Sequence, residues 1–190
     1  MATPVPFEAP AAPHWSLDDY DRAVDVGLFG DRRIELVAGE LIEMPPMSEP
    51  HIGALRYLTE LFYGALGRER ALSQMPIILP QDGEPEPDIA VAESGAPLKP
   101  RAEQVQLAIE VSHRTRHFDR GPKLEAYLAD GIRELWIIDL VEQCALVYRA
   151  GLLFARYARG TGARLVPELV PEITVDLDEI FQAARLAPRV

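Results

Sequence analysis

The stretch that decides the fold runs from residue 105 to 129. It begins Val105-Gln106-Leu107-Ala108-Ile109-Glu110-Val111-Ser112 and continues through Phe118-Asp119-Arg120-Gly121-Pro122-Lys123-Leu124-Glu125-Ala126-Tyr127. The first eight residues alternate. Val105, Leu107, Ile109 and Val111 fall on one face, and Gln106, Ala108, Glu110 and Ser112 on the other, the period of a β-strand. Asp119 then stands where an N-cap would, and Pro122 suits a first helical turn. Gly131 suits a stop, so the spacing predicts a helix from Asp119 to about residue 129. A strand followed at once by a helix points to an α/β protein.

The same pattern extends outward. Downstream, 135–139 and 145–149 read as a pair of strands, 154–158 as a further one, and 172–183 as a last strand with a short helix. Upstream, 88–92 reads as a short strand after the turn-rich 80–87, and 72–79 as another strand. Residues 51–67 carry Ile52, Leu55, Leu58, Leu61, Phe62, Ala65 and Leu66 at helical spacing, with Gly67 as the stop. Ile34-Glu35-Leu36-Val37 and Glu40-Leu41-Ile42-Glu43-Met44 flank Ala38-Gly39, the mark of a hairpin. Ser16 suits the cap of a short first helix. Residues 1–13, rich in Pro and Ala, are expected to be a disordered arm, and 14–190 a single domain. The expected architecture is a mixed central sheet with the 51–67 and 119–129 helices packed against it.

Composition narrows the function classes. The 190 residues are 48% hydrophobic and 26% charged, ordinary for a globular protein, with a formal net charge of −11. That charge speaks against a broad basic surface for gripping phosphates. A local patch of Arg114, Arg116, His117 and Arg120 is the expected exception. The lone cysteine, Cys144, excludes an intrachain disulfide and a cysteine zinc cluster within one chain. No apolar run approaches the roughly 20 residues of a membrane span. With no basic-then-apolar start, a cytoplasmic location is expected.

Two carboxylates stand out. Asp88 follows Pro87 at the start of a strand, where a side chain projects into a cleft or simply serves a turn. Glu110 sits in the middle of an apolar strand between small neighbours, Ala108 and Ser112. It must be solvated, paired or bound to a metal. Lys123 lies about one turn beyond Asp119 and can point back towards the strand's end, or into solvent.

Pro87-Asp88, the 107–112 strand and the 118–127 segment resemble the PD-(D/E)XK nuclease superfamily, and more narrowly its Uma family. The 34–41 hairpin, Met44-Pro45-Pro46 with His51, and Gly131-Ile132-Arg133-Glu134-Leu135-Trp136-Ile137-Ile138-Asp139 extend the likeness over about residues 15–183. The resemblance implies a restriction-endonuclease-like α/β fold and Mg²⁺-dependent (or Mn²⁺-dependent) cleavage of DNA. Asp88, Glu110 and Lys123 would be catalytic, with Asp88 and Glu110 as metal ligands. In the superfamily the lysine stands two residues after the second acid; here Ser112 occupies that place, and the resemblance assigns the role to Lys123. Glu35, His51 and Ser112 are candidate accessory residues, with Glu35 preferred over Glu40 because it sits within the strand. A homodimer would cut both strands of a duplex most simply. The rival reading is a non-catalytic binding module on the same fold, favoured by the acidic charge.

Overall fold

A computed structural model of the protein describes residues 13–186. The arm expected over 1–13 therefore lies outside the described residues, except for Pro13. The described chain begins with helix α1 (Leu17–Asp25), capped by Ser16, whose hydroxyl accepts from the Asp19 amide. A hairpin of β1 (Ile34–Val37) and β2 (Glu40–Glu43) follows, turning at Ala38 and Gly39, which both adopt positive φ. The long helix α2 (Glu49–Leu66) starts at Ser48 and stops at Gly67, whose φ of 71° only glycine adopts readily.

The central sheet has six strands: β3 (Ala71–Ser73), β4 (Ile89–Ala92), β5 (Val105–Ser112), β6 (Glu134–Asp139), β7 (Cys144–Arg149) and β8 (Leu152–Ala158). They lie side by side in chain order. All neighbours are antiparallel except β5 and β6. That single parallel pair forces a crossover, which holds α3 (Arg116–Asp119) and α4 (Pro122–Ala129). A separate two-stranded ladder, β9 (Arg164–Leu165) with β10 (Val175–Asp176), precedes α5 (Leu177–Ala183).

The sheet is mixed; its central strands β4, β5 and β6 are buried on both sides, while edge strand β8 is largely exposed. On one face Leu107, Ile109, Val111, Trp136 and Ile138 pack with Leu58 and Phe62 of α2 and Ile180 and Phe181 of α5. On the other, Ala108, Leu135 and Ile137 pack with Ala126 and Tyr127 of α4. The expected alternation of β5 is present, but both of its faces are covered, so even Ala108, Glu110 and Ser112 are buried. A central strand with helices on both sides has no wet face.

Two expectations fail in instructive ways. The strand read over 72–79 stops at Ser73, because Gln74 takes a positive φ and Pro76 follows; beyond it only isolated bridges form at Ile78 and Leu79. The helix read from an Asp119 cap is two pieces. Asp119 ends α3 instead of capping α4, and Gly121 is the residue that precedes α4, with φ −122° and ψ −109°. The Asp119 carboxylate accepts from the Ser112 and Thr115 hydroxyls, each at 2.6 Å.

Helices α2 and α5 meet where α2 has no side chain. A Cβ built on Gly53 would lie 2.2 Å from the Ala183 carbonyl oxygen. Backbone cannot swing aside as a flexible side chain can. Gly53→Ala should therefore cost about 1–3 kcal/mol. Urea unfolding should show a lower midpoint with an unchanged m-value, and an unshifted midpoint would refute this packing.

Candidate active site

Asp88, Glu110 and Lys123 line one cavity, together with Glu35, His51 and Asp119. Two of these positions, Asp88 and Glu110, are set by the central sheet. The β4–β5 ladder ends at the pair Ile89–Ile109. Beyond that point no β4 residue lies opposite β5, and the Val111 amide donates to Asp88 Oδ2 at 2.7 Å. Asp88 thus replaces a missing ladder carbonyl and is held against β5 by it. Its other oxygen lies 2.9 Å from His51 Nε2 and accepts from Gln74 Nε2 at 3.4 Å.

Glu110 points to the α4 side of β5. Its Oε1 accepts from the Tyr127 hydroxyl at 2.6 Å and lies 3.0 Å from Lys123 Nζ. Lys123 is 1% exposed and also reaches Glu35 Oε2 at 2.9 Å. Gly121 and Pro122 at the start of α4 place Lys123 in its first turn, facing the sheet. One ammonium therefore joins β1, β5 and α4.

The charges are unequal. Burial pushes the Glu110 carboxyl well above its ordinary range, against the pull of Lys123, and Asp88, Asp119 and Glu35 push it further. Burial would lower the Lys123 amine, yet Glu110 and Glu35 hold it above the usual lysine range. Asp119 is raised by burial in spite of Lys123 and its two hydroxyl partners. His51 resists burial because Asp88 raises it. Tyr127 is raised by burial first and then by Glu110, so its hydroxyl is a committed donor.

Not every candidate belongs to the cavity. Glu40 is exposed on β2 and does not line it, whereas Glu35 does. Ser112 is fully buried but turns to Asp119 and does not line it either. The expected positive patch is largely absent. Arg116 and Arg120 both bind Asp139 and Glu142, leaving Arg114 exposed at the cavity. Burial raises the Asp139 carboxyl, but the two arginines and the Glu142 amide bring it below its ordinary range. Two contributors escaped the sequence reading: Tyr127, read there as a core or cleft-edge aromatic, and Gln74, read as part of a strand.

By ligand chemistry, the acids of the cavity suit a hard divalent ion. Glu35, Asp88 and Glu110 supply carboxylates, the ligand class of Mg²⁺ and Mn²⁺. Glu35 Oε1 is buried without a hydrogen-bond partner, an orphan that a cation or water would satisfy. Among the described residues, no group of three or more His, Cys, Asp or Glu is arranged to hold a metal ion. Mg²⁺ needs fewer, since it commonly takes one or two carboxylates plus water and phosphate oxygens.

Residues 17–178 match the model of the Uma2 family, described as "Putative restriction endonuclease". The chain belongs to this family. A crystal structure of "a putative nuclease" from Anabaena variabilis has the same fold: the TM-score is 0.66 at 18% identity, over 89% of this chain and 98% of that one. No curated protein sequence matches the chain. Among the described residues, no helix is long and apolar enough to cross a membrane.

Removing the ammonium should expose the cost of the acids it neutralises. Lys123→Met leaves Glu35 and Glu110 buried without their cation, a loss of about 3–5 kcal/mol at neutral pH. Because the folded-state value of Glu110 is raised, its protonated form favours folding, and the penalty grows as pH rises through that value. The variant's deficit against the parent should shrink in mildly acidic buffer. A deficit that stays constant from neutral to acidic pH in urea titrations would contradict this electrostatic account.

Proposed function

We propose that the protein is an endonuclease that hydrolyses phosphodiester bonds in DNA with Mg²⁺ or Mn²⁺ held by Asp88 and Glu110. The observation that carries this reading is one small cavity lined by Asp88, Glu110 and Lys123, with Lys123 buried against Glu110 and Glu35. Family membership supports the same class of reaction.

A phosphodiester resists attack because its negative charge repels nucleophiles. A bound divalent ion acidifies water and neutralises charge developing on the phosphate. The chain's own groups do the rest. The Val111 amide and His51 fix the Asp88 carboxylate. Tyr127 fixes Glu110. Lys123 brings a permanent positive charge to the attacked phosphate or the attacking water, and its two acidic partners keep it protonated. Glu35 holds that ammonium in place, and its other oxygen, buried and without a hydrogen-bond partner, is left for an ion. The rival, a binding module that has kept the fold, draws on the net charge of −11 and on arginines already spent within the protein.

A plasmid-nicking assay separates the two. Cleavage should require Mg²⁺ or Mn²⁺. Asp88→Asn, Glu110→Gln and Lys123→Ala should each lower the rate by about a hundredfold or more, the scale of one charge-stabilising group. Mn²⁺ should raise the melting temperature of the parent but barely that of Glu110→Gln. Metal-independent nicking, or full activity in Asp88→Asn, would transfer the case to the binding module.

A further inference from the structure

The cavity wall is chemically divided. Met44, Pro45, Pro46 and Met47 line it in succession, between β2 and the Ser48 cap of α2, and every other lining residue is polar or charged. Pro45, Pro46 and Met47 are exposed. None of the four belongs to the two core clusters. The segment is also fixed. The Met44 amide donates to the Arg33 carbonyl at 2.8 Å, Gln74 Nε2 reaches Met47 Sδ at 3.4 Å, and Ser48 Oγ lies 2.8 Å from His113 Nδ1. Two prolines restrict what backbone freedom is left. An apolar lip thus borders a pocket of carboxylates, and covering it would remove apolar surface from water.

The volume open to water inside the cavity is about 40 Å³, room for an ion with waters or phosphate oxygens. On the proposed nuclease reading, on which this inference rests, the group that meets the lip is the nucleoside next to the attacked phosphate. Apolar contact favours its base over its sugar.

We infer that residues 44–47 seat an unpaired base beside the scissile phosphate, so that the preferred substrate is single-stranded or locally unpaired DNA. In an intact duplex the base faces are stacked and out of reach. Gripping a duplex also calls for many phosphate contacts, since its charge density is higher than a single strand's. This protein is poorly equipped for that. It carries a net charge of −11, Arg33 at the cavity is paired with Glu86, and Arg116 and Arg120 are held by Asp139 and Glu142. A single strand offers base faces directly, and contact with them adds affinity that does not come from phosphate.

The test uses the full chain carrying Glu110→Gln, in Mg²⁺, with fluorescent DNA of one sequence as a single strand, a duplex, and a duplex with a central unpaired bubble. The single strand and bubble should bind about tenfold more tightly than the duplex by anisotropy, and Met47→Ser should remove about that factor for the unpaired forms alone. Met47 is exposed, so melting should be unchanged; Pro45→Ser gives a second variant should Met47→Ser fail to fold. Equal affinity for duplex, a Met47→Ser variant that keeps the preference, or a clear preference for single-stranded RNA over DNA would overturn the inference. Cleavage by the parent distinguishes the layers. Duplex cleavage unaffected by Met47→Ser leaves the nuclease reading standing and sinks the lip. Lip-dependent binding without metal-dependent cleavage of any DNA does the reverse.

Discussion

A protonated lysine has been taken almost completely out of water and set between two glutamates, and much of the architecture can be understood as what that placement requires. An unpaired buried ammonium or carboxylate costs several kcal/mol. Glu35, Glu110 and Lys123 must therefore arrive together, from a hairpin, a central strand and a crossover helix. The break between α3 and α4 is part of this constraint. With Pro122 starting a new helix after Gly121, Lys123 faces the sheet and Asp119 is released to bind Ser112 and Thr115. The parallel β5–β6 pair matters for the same reason, because only a crossover connection brings α4 back over the strand that holds Glu110.

The site is built outward from backbone needs. Asp88 sits where the β4–β5 ladder runs out, and its carboxylate takes the amide that β4 no longer serves. Tyr127, packed in the core of the α4 face, turns its hydroxyl to Glu110. At both points one group serves the fold and also shapes the charge of the cavity. A change at either would alter packing as well as the charge that the cavity presents.

How much of this could be read from the sequence differs residue by residue. Glu110 was legible because a carboxylate in the middle of an apolar strand is conspicuous. The hairpin, α2 and the β6–β7 pair were legible from periodicity and glycine punctuation. Lys123 was not legible from pattern alone, since any helix may carry a surface lysine; only the family resemblance singled it out. Asp119 was misread because a cap and a hydroxyl-binding acid look alike ahead of a Gly-Pro pair. Residues 72–79 looked like a strand from their apolar content, which cannot show that Gln74 turns the backbone to a positive φ. Arg116 and Arg120 looked like a phosphate patch because Asp139 and Glu142, which bind them, lie on the far side of the crossover in sequence.

The same crossover has a consequence for how the chain comes to life. The β6–β7–β8 meander is made of contacts between near neighbours in sequence, whereas Glu35 meets Lys123 only after a long loop has been closed. A chain synthesised as far as β5 holds all three carboxylates but not the cation between them, and Asp88 can already be held by Val111 while Glu35 and Glu110 repel each other. Closing that loop carries an entropy cost that the meander's local pairings do not. A nascent or partly unfolded copy in which that loop is open lacks the ammonium between its acids.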